Sequence, residues 1–365
     1  MMKQILIGGY YGYGNIGDEA ILEALAQNIA PYKEIELRVL SSNRRYTNEI
    51  QGLYSYSRNN PIAVINGLIN SDLFISGGGG LIQDSTSWQS PYFYLLQILL
   101  AQILARKVYI MGQGIGPLNS SFARFLMAEL FASAKAIVVR DHASQSLLMN
   151  LLPSGIEIIL GADLALLLEP ASDEIAEDIL YEEGAAELSQ PILVAVLKGS
   201  KREIKVANYI SDAINSYHEQ VGGGVLFIPF FPSYDLSFNE MVLSSIKAPK
   251  ALIRKTHKPS EILAVIKSCD HVLAGRFHGA IFAAIAHLPF TSIVYDPKIK
   301  LFLDELGLDA SVMTPLVGSK SVEESLLTDM ESSEEIVGKI DKRLPHLKDR
   351  ANLNIAKLLD LVLPK

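Results

Sequence analysis

Two side chains that can carry positive charge, Arg276 and His278, stand two residues apart in the run Gly275-Arg276-Phe277-His278-Gly279. The run follows the apolar stretch His271–Ala274 and opens onto the apolar, helix-like segment Ala280–Ala286. A strand–turn–helix junction of this kind sets a guanidinium and an imidazole beside unpaired helical N–H groups, which suits a small anion. One strand later, Tyr295-Asp296-Pro297-Lys298 brings an ammonium to the same sheet edge. Taken singly, these read as a solvated arginine, a capping histidine and a surface lysine. Converging on one edge, they favour a site.

In an open parallel sheet, ligands bind beyond the carboxyl ends of the strands. In the first half of the chain those ends carry Gly8-Gly9-Tyr10-Tyr11-Gly12-Tyr13-Gly14-Asn15-Ile16-Gly17-Asp18-Glu19, then Gly77-Gly78-Gly79-Gly80-Leu81-Ile82-Gln83-Asp84, then Gly112-Gln113-Gly114-Ile115-Gly116-Pro117 and Arg140-Asp141. Glycine has no Cβ and tolerates positive φ, so backbone can approach a ligand closely. One such cluster reads equally well as a tight connection; three on one edge favour a site. Gly12 to Gly17 matches the dinucleotide pattern G-x-G-x-x-G, and Arg44-Arg45 suggests a 2′-phosphate partner. Against this, the first glycine of the pattern falls several residues after the strand, and Asp18-Glu19 would oppose a pyrophosphate at the positive helix end. A polar sugar suits Asn15 and Asp18 better, and Asp18 also reads as a helix cap.

These residues must be positioned by a scaffold. A chain of 365 residues exceeds the roughly 250–300 over which one core keeps growing, so two domains are expected. With 49% apolar and 20% charged residues it can fill both. Short apolar runs near Gln4–Gly8, Glu36–Leu40, Asp72–Ser76, Lys107–Gly112, Ala136–Val139 and Glu157–Leu160 alternate with helical lengths of chain, which implies a parallel sheet covered on both faces. An acidic segment from Ser172 to Glu187 reads as the connection. A second set follows at Ile192–Leu197, Gly224–Ile228, Ala251–Lys255, His271–Ala274 and Thr291–Tyr295. The expectation is α/β: a Rossmann-like domain over 1–168, another over 190–330, and a helical tail over 331–365 that packs back on the first.

The formal charge of −8 argues against nucleic acid, whose partners need a basic face. The N-terminus runs straight into a strand without a leader, and Tyr92 to Ala105 is too short, and too interrupted by Gln97 and Gln102, to span a bilayer. A cytoplasmic protein is expected. A single cysteine, Cys269, excludes internal disulfides and thiolate metal clusters and reads as core filler. No carboxylate pair or His/Cys/Glu set has metal-ligand spacing, which leaves direct cationic clamping of any anion and no metal.

The stretches Gly9–Leu22, Ile75–Ser87, Gly112–Leu118, Val138–Ser144, Gly275–Ala284 and Tyr295–Lys298 together resemble the polysaccharide pyruvyl transferase family, in particular its CsaB-like branch acting on bacterial cell-wall polymers. The resemblance implies a GT-B-like fold with two Rossmann-like domains facing a cleft. It also implies phosphoenolpyruvate as donor substrate, with no cofactor, and a hexosamine acceptor presenting its 4- and 6-hydroxyls, often lipid-linked at the inner face of the plasma membrane, with at most peripheral membrane contact. It carries the family's donor residues onto Arg276 and His278, its arginine–aspartate turn onto Arg140, and its last motif onto Lys298. Two departures stand out: Phe277 and Gly279 flank His278, and Lys198 ends a strand where the family has arginine.

On this reading Arg140, Arg276 and Lys298 clamp the donor beside Phe277 and Gly279, while His278 is the acid or assists phosphate departure. An imidazole ordinarily titrates near ~6.5, within reach of that task. Gly14, Asn15, Gly79 and Gln83 hold the acceptor, with Asp18 or Asp84 as base. The alternatives are a GT-B glycosyltransferase using a nucleotide sugar and a non-catalytic polymer-binding relative.

Overall fold

The structure, a computed structural model, describes residues 2–85, 87–104, 106–199, 204–309 and 320–363. Thr86, within the motif stretch Ile75–Ser87, lies outside the described residues. The chain forms two compact units. One comprises Met1–Tyr13, Asp18–Leu168 and His346–Lys365; the other comprises Gly14–Gly17 and Glu169–Pro345.

The first unit is built on an eight-stranded sheet of β1 (Lys3–Gly8), β2 (Ile35–Ser41), β3 (Tyr54–Ser57), β4 (Leu73–Ser76), β5 (Gly79–Ile82), β6 (Lys107–Ile115), β7 (Ala136–Val139) and β8 (Ile159–Leu160). Its order is β3-β2-β1-β4-β6-β7-β8, with β5 beside β6. Every pairing is parallel, for example Ile5 opposite Leu37 on one side and Leu73 on the other. The central strands are apolar runs buried on both faces, as a sheet covered by crossover helices requires. Leu6, Phe74, Ile110 and Val139 form one core with Leu68 of the helix Pro61–Ile69, Ile98 of Ser90–Ile103, Met127 of Ser121–Ala132 and Leu148 of His142–Leu151. The C-terminal stretch of helix Ser333–Val362 belongs to this unit: Arg350 donates to the Gly161 carbonyl at 2.9 and 2.7 Å, and the Tyr109 hydroxyl donates to the Asn354 carbonyl at 3.0 Å.

The second unit carries five parallel strands, β9 (Ile192–Val196), β10 (Gly224–Phe227), β11 (Lys250–Leu252), β12 (His271–Ala274) and β13 (Phe290–Ser292), in the order β11-β10-β9-β12-β13. Leu193, Val225, Phe227 and Leu273 pack against Ile210, Phe238 and Leu326 from the helices above them. Local chemistry sets the helix ends. Pro259 opens a helix whose Glu261 reaches back to the Lys258 N–H at 2.8 Å, and Asp296 caps Pro297–Leu306, which Gly307 closes at φ 69°. The acidic segment expected to be a connection holds a helix of its own, Asp173–Glu182; just before it, the Ala171 N–H donates to the Ser260 carbonyl at 2.9 Å within this unit. Cys269 is buried, its thiol pushed up to about 12 by desolvation, which suits a packing residue.

Two strands were not legible in the sequence. β3 is Tyr-Ser-Tyr-Ser at the sheet edge, without an apolar run, and β5 is half glycine. Glycine offers no side chain to a sheet, so pattern reading assigns Gly77–Gly80 to a loop; in the structure Gly79 enters a strand opposite Gln113 of β6.

Candidate active site

In the second unit the strand ends converge on one carboxylate. Asp235, fully buried in the first turn of helix Pro232–Ser244, accepts from the Phe231 N–H after β10 and the Gly199 N–H after β9, each at 2.9 Å. Its same two oxygens receive Arg276, which follows β12: Nε donates to Oδ2 at 3.0 Å and Nη2 donates to Oδ1. Asp235 therefore ties three strand ends together. It occupies the Nε edge of the guanidinium, so any clamp that Arg276 offers a ligand comes from its outer, Nη1 end. Sequence reading missed Asp235; a proline at a helix start with a carboxylate three residues on, after the apolar run Gly224–Ile228, was the available signal.

Two ammonium groups neighbour Arg276. Lys298, in the first turn of its helix, sits 3.2 Å from Asp296 Oδ2 and 5.7 Å from the centre of the Phe277 ring. Lys198, just beyond β9, lies 3.7 Å from the centre of the Tyr295 ring. Desolvation, reinforced by the positive charges of Arg276 and Lys298, lowers the Lys198 pKa to about 8, against the opposing pull of Asp296 and Asp235. Three cations thus share one pair of carboxylates. Lys198, entered from sequence only as a departure, is the cation whose charge is least compensated.

His278 is the second residue of helix Phe277–Ile285, its ring packed edge-on to Phe277 with centroids 5.1 Å apart. The imidazole also lies against Gly17: a Cβ there would fall 2.0 Å from Nδ1. The Ile16 N–H donates to the Phe230 carbonyl at 2.8 Å, and Asn15 Oδ1 accepts from the Gly17 N–H at 3.3 Å. Gly14–Gly17 consequently packs in the second unit with His278, although the sequence suggested that Gly14 and Asn15 stay with the first strand. The absence of a side chain at Gly17 is what permits this.

Phe277 and Gly279 flank His278 but face inward. Phe277 is buried, its ring 5.9 Å from that of Phe302, and meets the site through Lys298. A Cβ on Gly279 would lie 3.0 Å from Val196 Cγ1, so this glycine lets the helix close onto β9. The geometry gives Gly279 a packing role.

The corresponding edge of the first unit is acidic. Glu19 is fully buried and its Oε1 accepts from the Gly12 N–H at 2.7 Å. Asp18 Oδ1 lies where a Cβ on Gly79 would come within 3.0 Å, and Gly79 adopts φ 96°. The buried Tyr11 hydroxyl is held well above its ordinary pKa by desolvation first and then by Asp18 and Glu19, a sign of negative potential at this edge. Arg140 is buried and donates through Nη1 to Asp163 Oδ2 at 2.9 Å; a Cβ on Gly114 would strike its Nε at 2.5 Å. Arg140, expected with Arg276 and Lys298, is a residue of the first unit, paired there with an aspartate that the sequence reading passed over. Such a surface suits hydroxyl groups, which donate to carboxylates, better than a second anion.

Gln83 and Asp84 follow β5. Gln83 Oε1 accepts from the Ser85 N–H at 2.8 Å. Asp84 accepts from the N–H groups of Asn119 and Ser120 at 2.6 and 2.9 Å and from Asn119 Nδ2 at 3.0 Å. The backbone bond from Ser120 leads in lowering its pKa, which stabilises the ionised form and weakens it as a base; its work is to brace the turn before helix Ser121–Ala132. Asp18 is the better candidate for base. Arg58, also unforeseen, is buried between Phe93 and Tyr13, 4.5 and 5.2 Å from the ring centres, and donates to the Gly9 carbonyl at 2.6 Å, fixing the loop after β1. Among the described residues no group of three or more His, Cys, Asp or Glu side chains is placed to hold a metal ion.

The architecture is similar to solved structures across almost its whole length. An S. aureus MnaA–UDP co-structure superposes with a TM-score of 0.67 at 11% identity, covering 100% of this chain and 99% of that one. UDP-GlcNAc 2-epimerase from Neisseria meningitidis, bound to UDP-GlcNAc, gives 0.63 at 12% over 98% and 100%. A UGT transferase from Siraitia grosvenorii in complex with UDP gives 0.57 at 9% over 99% and 100%. At such identities the likeness is one of fold, and the fold is GT-B-like α/β with two parallel sheets. No curated protein matches the sequence significantly. Residues 15–297, which run from Asn15 in the glycine loop through Arg276 and His278 and end one residue before Lys298, match the polysaccharide pyruvyl transferase model, and the chain belongs to that family of enzymes.

Proposed function

We propose that this enzyme transfers the enolpyruvyl group of phosphoenolpyruvate to a hexosamine, closing a 4,6-linked pyruvate ketal on a cell-wall or extracellular polysaccharide precursor and releasing phosphate. The observation that carries the reading is the cluster of Arg276, Lys298 and Lys198 around the single pair Asp235 and Asp296. Phosphoenolpyruvate brings a carboxylate and a phosphate within one small molecule, and neither leaves water cheaply without paired cations. An excess of fixed positive charge compensates that cost.

His278 supplies the proton that the vinyl carbon gains, or protonates the departing phosphate. Protonation leaves an oxocarbenium-like C2, which one sugar hydroxyl attacks as it gives up its proton. The second hydroxyl then displaces phosphate and closes the ring, so phosphoenolpyruvate and diol become ketal and inorganic phosphate. The acidic first-unit edge, with Asp18 as base, is the acceptor side. A lipid-linked acceptor at the inner membrane face, as in the CsaB-like branch, fits this assignment.

Donor choice tests the reading. Phosphoenolpyruvate should raise the melting temperature, because a ligand that binds only the native state stabilises it, while uridine diphosphate and NADP should not. A shift with uridine diphosphate and none with millimolar phosphoenolpyruvate would favour a nucleotide-sugar enzyme instead.

A further inference from the structure

Three helices that cover one face of the first-unit sheet, Pro61–Ile69, Ser90–Ile103 and Ser121–Ala132, turn apolar side chains outward as well as inward. The middle helix has no charged residue in its 14, and its outer side carries Leu96 and Ile103, 51% and 68% exposed. Phe122 and Phe125 stand out from the helix beside it at 62% and 60%, and Ile62, Ile65 and Ile69 are exposed on the other flank. Trp88, the only tryptophan, is 71% exposed; its ring lies 6.4 Å from that of Tyr92, which stacks on Phe122 at 6.0 Å. Scattered exposed apolar residues need no explanation, but a continuous patch on adjacent helices marks an interaction surface.

We propose that this face docks onto an anionic phospholipid bilayer. The charge pattern selects that occupant. Between Ser85 and Lys135 the chain carries Arg106, Lys107, Arg124 and Lys135 against Glu129 alone, although the whole protein is at −8. Arg124 and Lys135 are exposed, with Glu129 the one exposed carboxylate beside them, and Arg124 lies between the two outward phenylalanines; Lys107 points to the other face of the sheet, where its Nζ donates to the Leu361 carbonyl at 3.5 Å. A second copy seated by two-fold symmetry would set these cations against one another, whereas lipid phosphates neutralise them. Tryptophan, tyrosine and phenylalanine at one end of the patch suit the headgroup level, and leucine and isoleucine suit the acyl boundary. Among the described residues no helix is long and apolar enough to cross a membrane, so these helices lie along the surface. The aromatic end is tied to the acidic edge: the Tyr92 and Ser120 hydroxyls are 2.9 Å apart, and Ser120 N–H donates to Asp84. On the acceptor reading proposed above, a docked molecule brings that edge close to the membrane surface.

Sedimentation of the full-length protein with vesicles tests the surface without reading turnover. Wild type should pellet with vesicles rich in phosphatidylglycerol and far less with pure phosphatidylcholine. Replacing Trp88, Phe122 and Phe125 together with serine should cut the bound fraction about tenfold or more, and Arg124→Glu with Lys135→Glu should cut it several-fold. Trp88, Phe122, Phe125 and Lys135 are exposed, so those replacements should keep the wild-type melting temperature; Arg124 also donates to the Leu118 carbonyl, so Lys135→Glu alone is the control for a loss of stability there, and Leu96→Glu offers an independent break of the patch. The proposal falls if wild type stays in the supernatant with both vesicle types, or if the serine variant binds as strongly as wild type. It falls equally if light scattering reveals a dimer that Leu96→Glu dissociates while no vesicle binding is seen. Titration of phosphoenolpyruvate into the same preparations reports separately on the donor reading.

Discussion

With its inner edge engaged by Asp235, Arg276 has its outer end fixed in direction, and the proposal that this end meets the donor is testable apart from charge. Asp235→Asn should free the guanidinium and raise the donor KM about tenfold with a smaller change in kcat, because positioning is lost while the acid at His278 remains. An equal fall in kcat with KM unchanged would deny the positioning role. Arg276→Lys keeps the charge but loses the planar fork, so it too should raise the donor KM. His278→Ala should instead lower kcat by roughly 10²–10⁴-fold while phosphoenolpyruvate still binds in calorimetry; near wild-type turnover would remove His278 from the chemistry. Lys198 gives a pH signature. Its pKa is lowered to about 8, so it is charged below that pH and loses its charge as the pH rises through it. Donor affinity should therefore fall above pH 8, approaching about tenfold per pH unit for a site that needs the proton. Lys198→Arg, which does not titrate in this range, should flatten the profile between pH 7 and 9, and the same pH dependence in Lys198→Met would show that another group is responsible.

Among the elements, glycines decide what can come together. Gly17→Ala would drive a methyl into the His278 ring, and since a displacement of about 1 Å can cost 10²-fold in rate, kcat should fall by at least tenfold with donor affinity nearly intact. Unchanged turnover would show that the first turn of the Ile16–Ile29 helix yields instead. The central strands were legible because a strand buried on both faces must be an unbroken apolar run; β7 and β12 fall at the residues expected. β3 and β5 were not, since β3 alternates tyrosine with serine over only four residues at the sheet edge, without an apolar run, and β5 is half glycine.

At the scale of the whole molecule, chain order separates what sequence could disclose from what folding alone reveals. Residues that share a strand–turn–helix junction, such as Arg276 with His278, announce themselves by adjacency. Asp235 lies 41 positions from Arg276 and Asp163 lies 23 from Arg140, and no local pattern links either pair. The assignment of Gly14–Gly17 to the second unit is likewise a property of packing, since adjacency ties those residues to the first strand. Family membership makes pyruvyl transfer the question to put to the intact enzyme. The most direct measurement is product mass and phosphate release after incubation with phosphoenolpyruvate and a panel of aryl or lipid-linked hexosaminides. One phosphate released for each sugar that gains a pyruvate ketal is the predicted result; no ketal and no phosphate from any acceptor, with glycosyl transfer from a nucleotide sugar in its place, would contradict it.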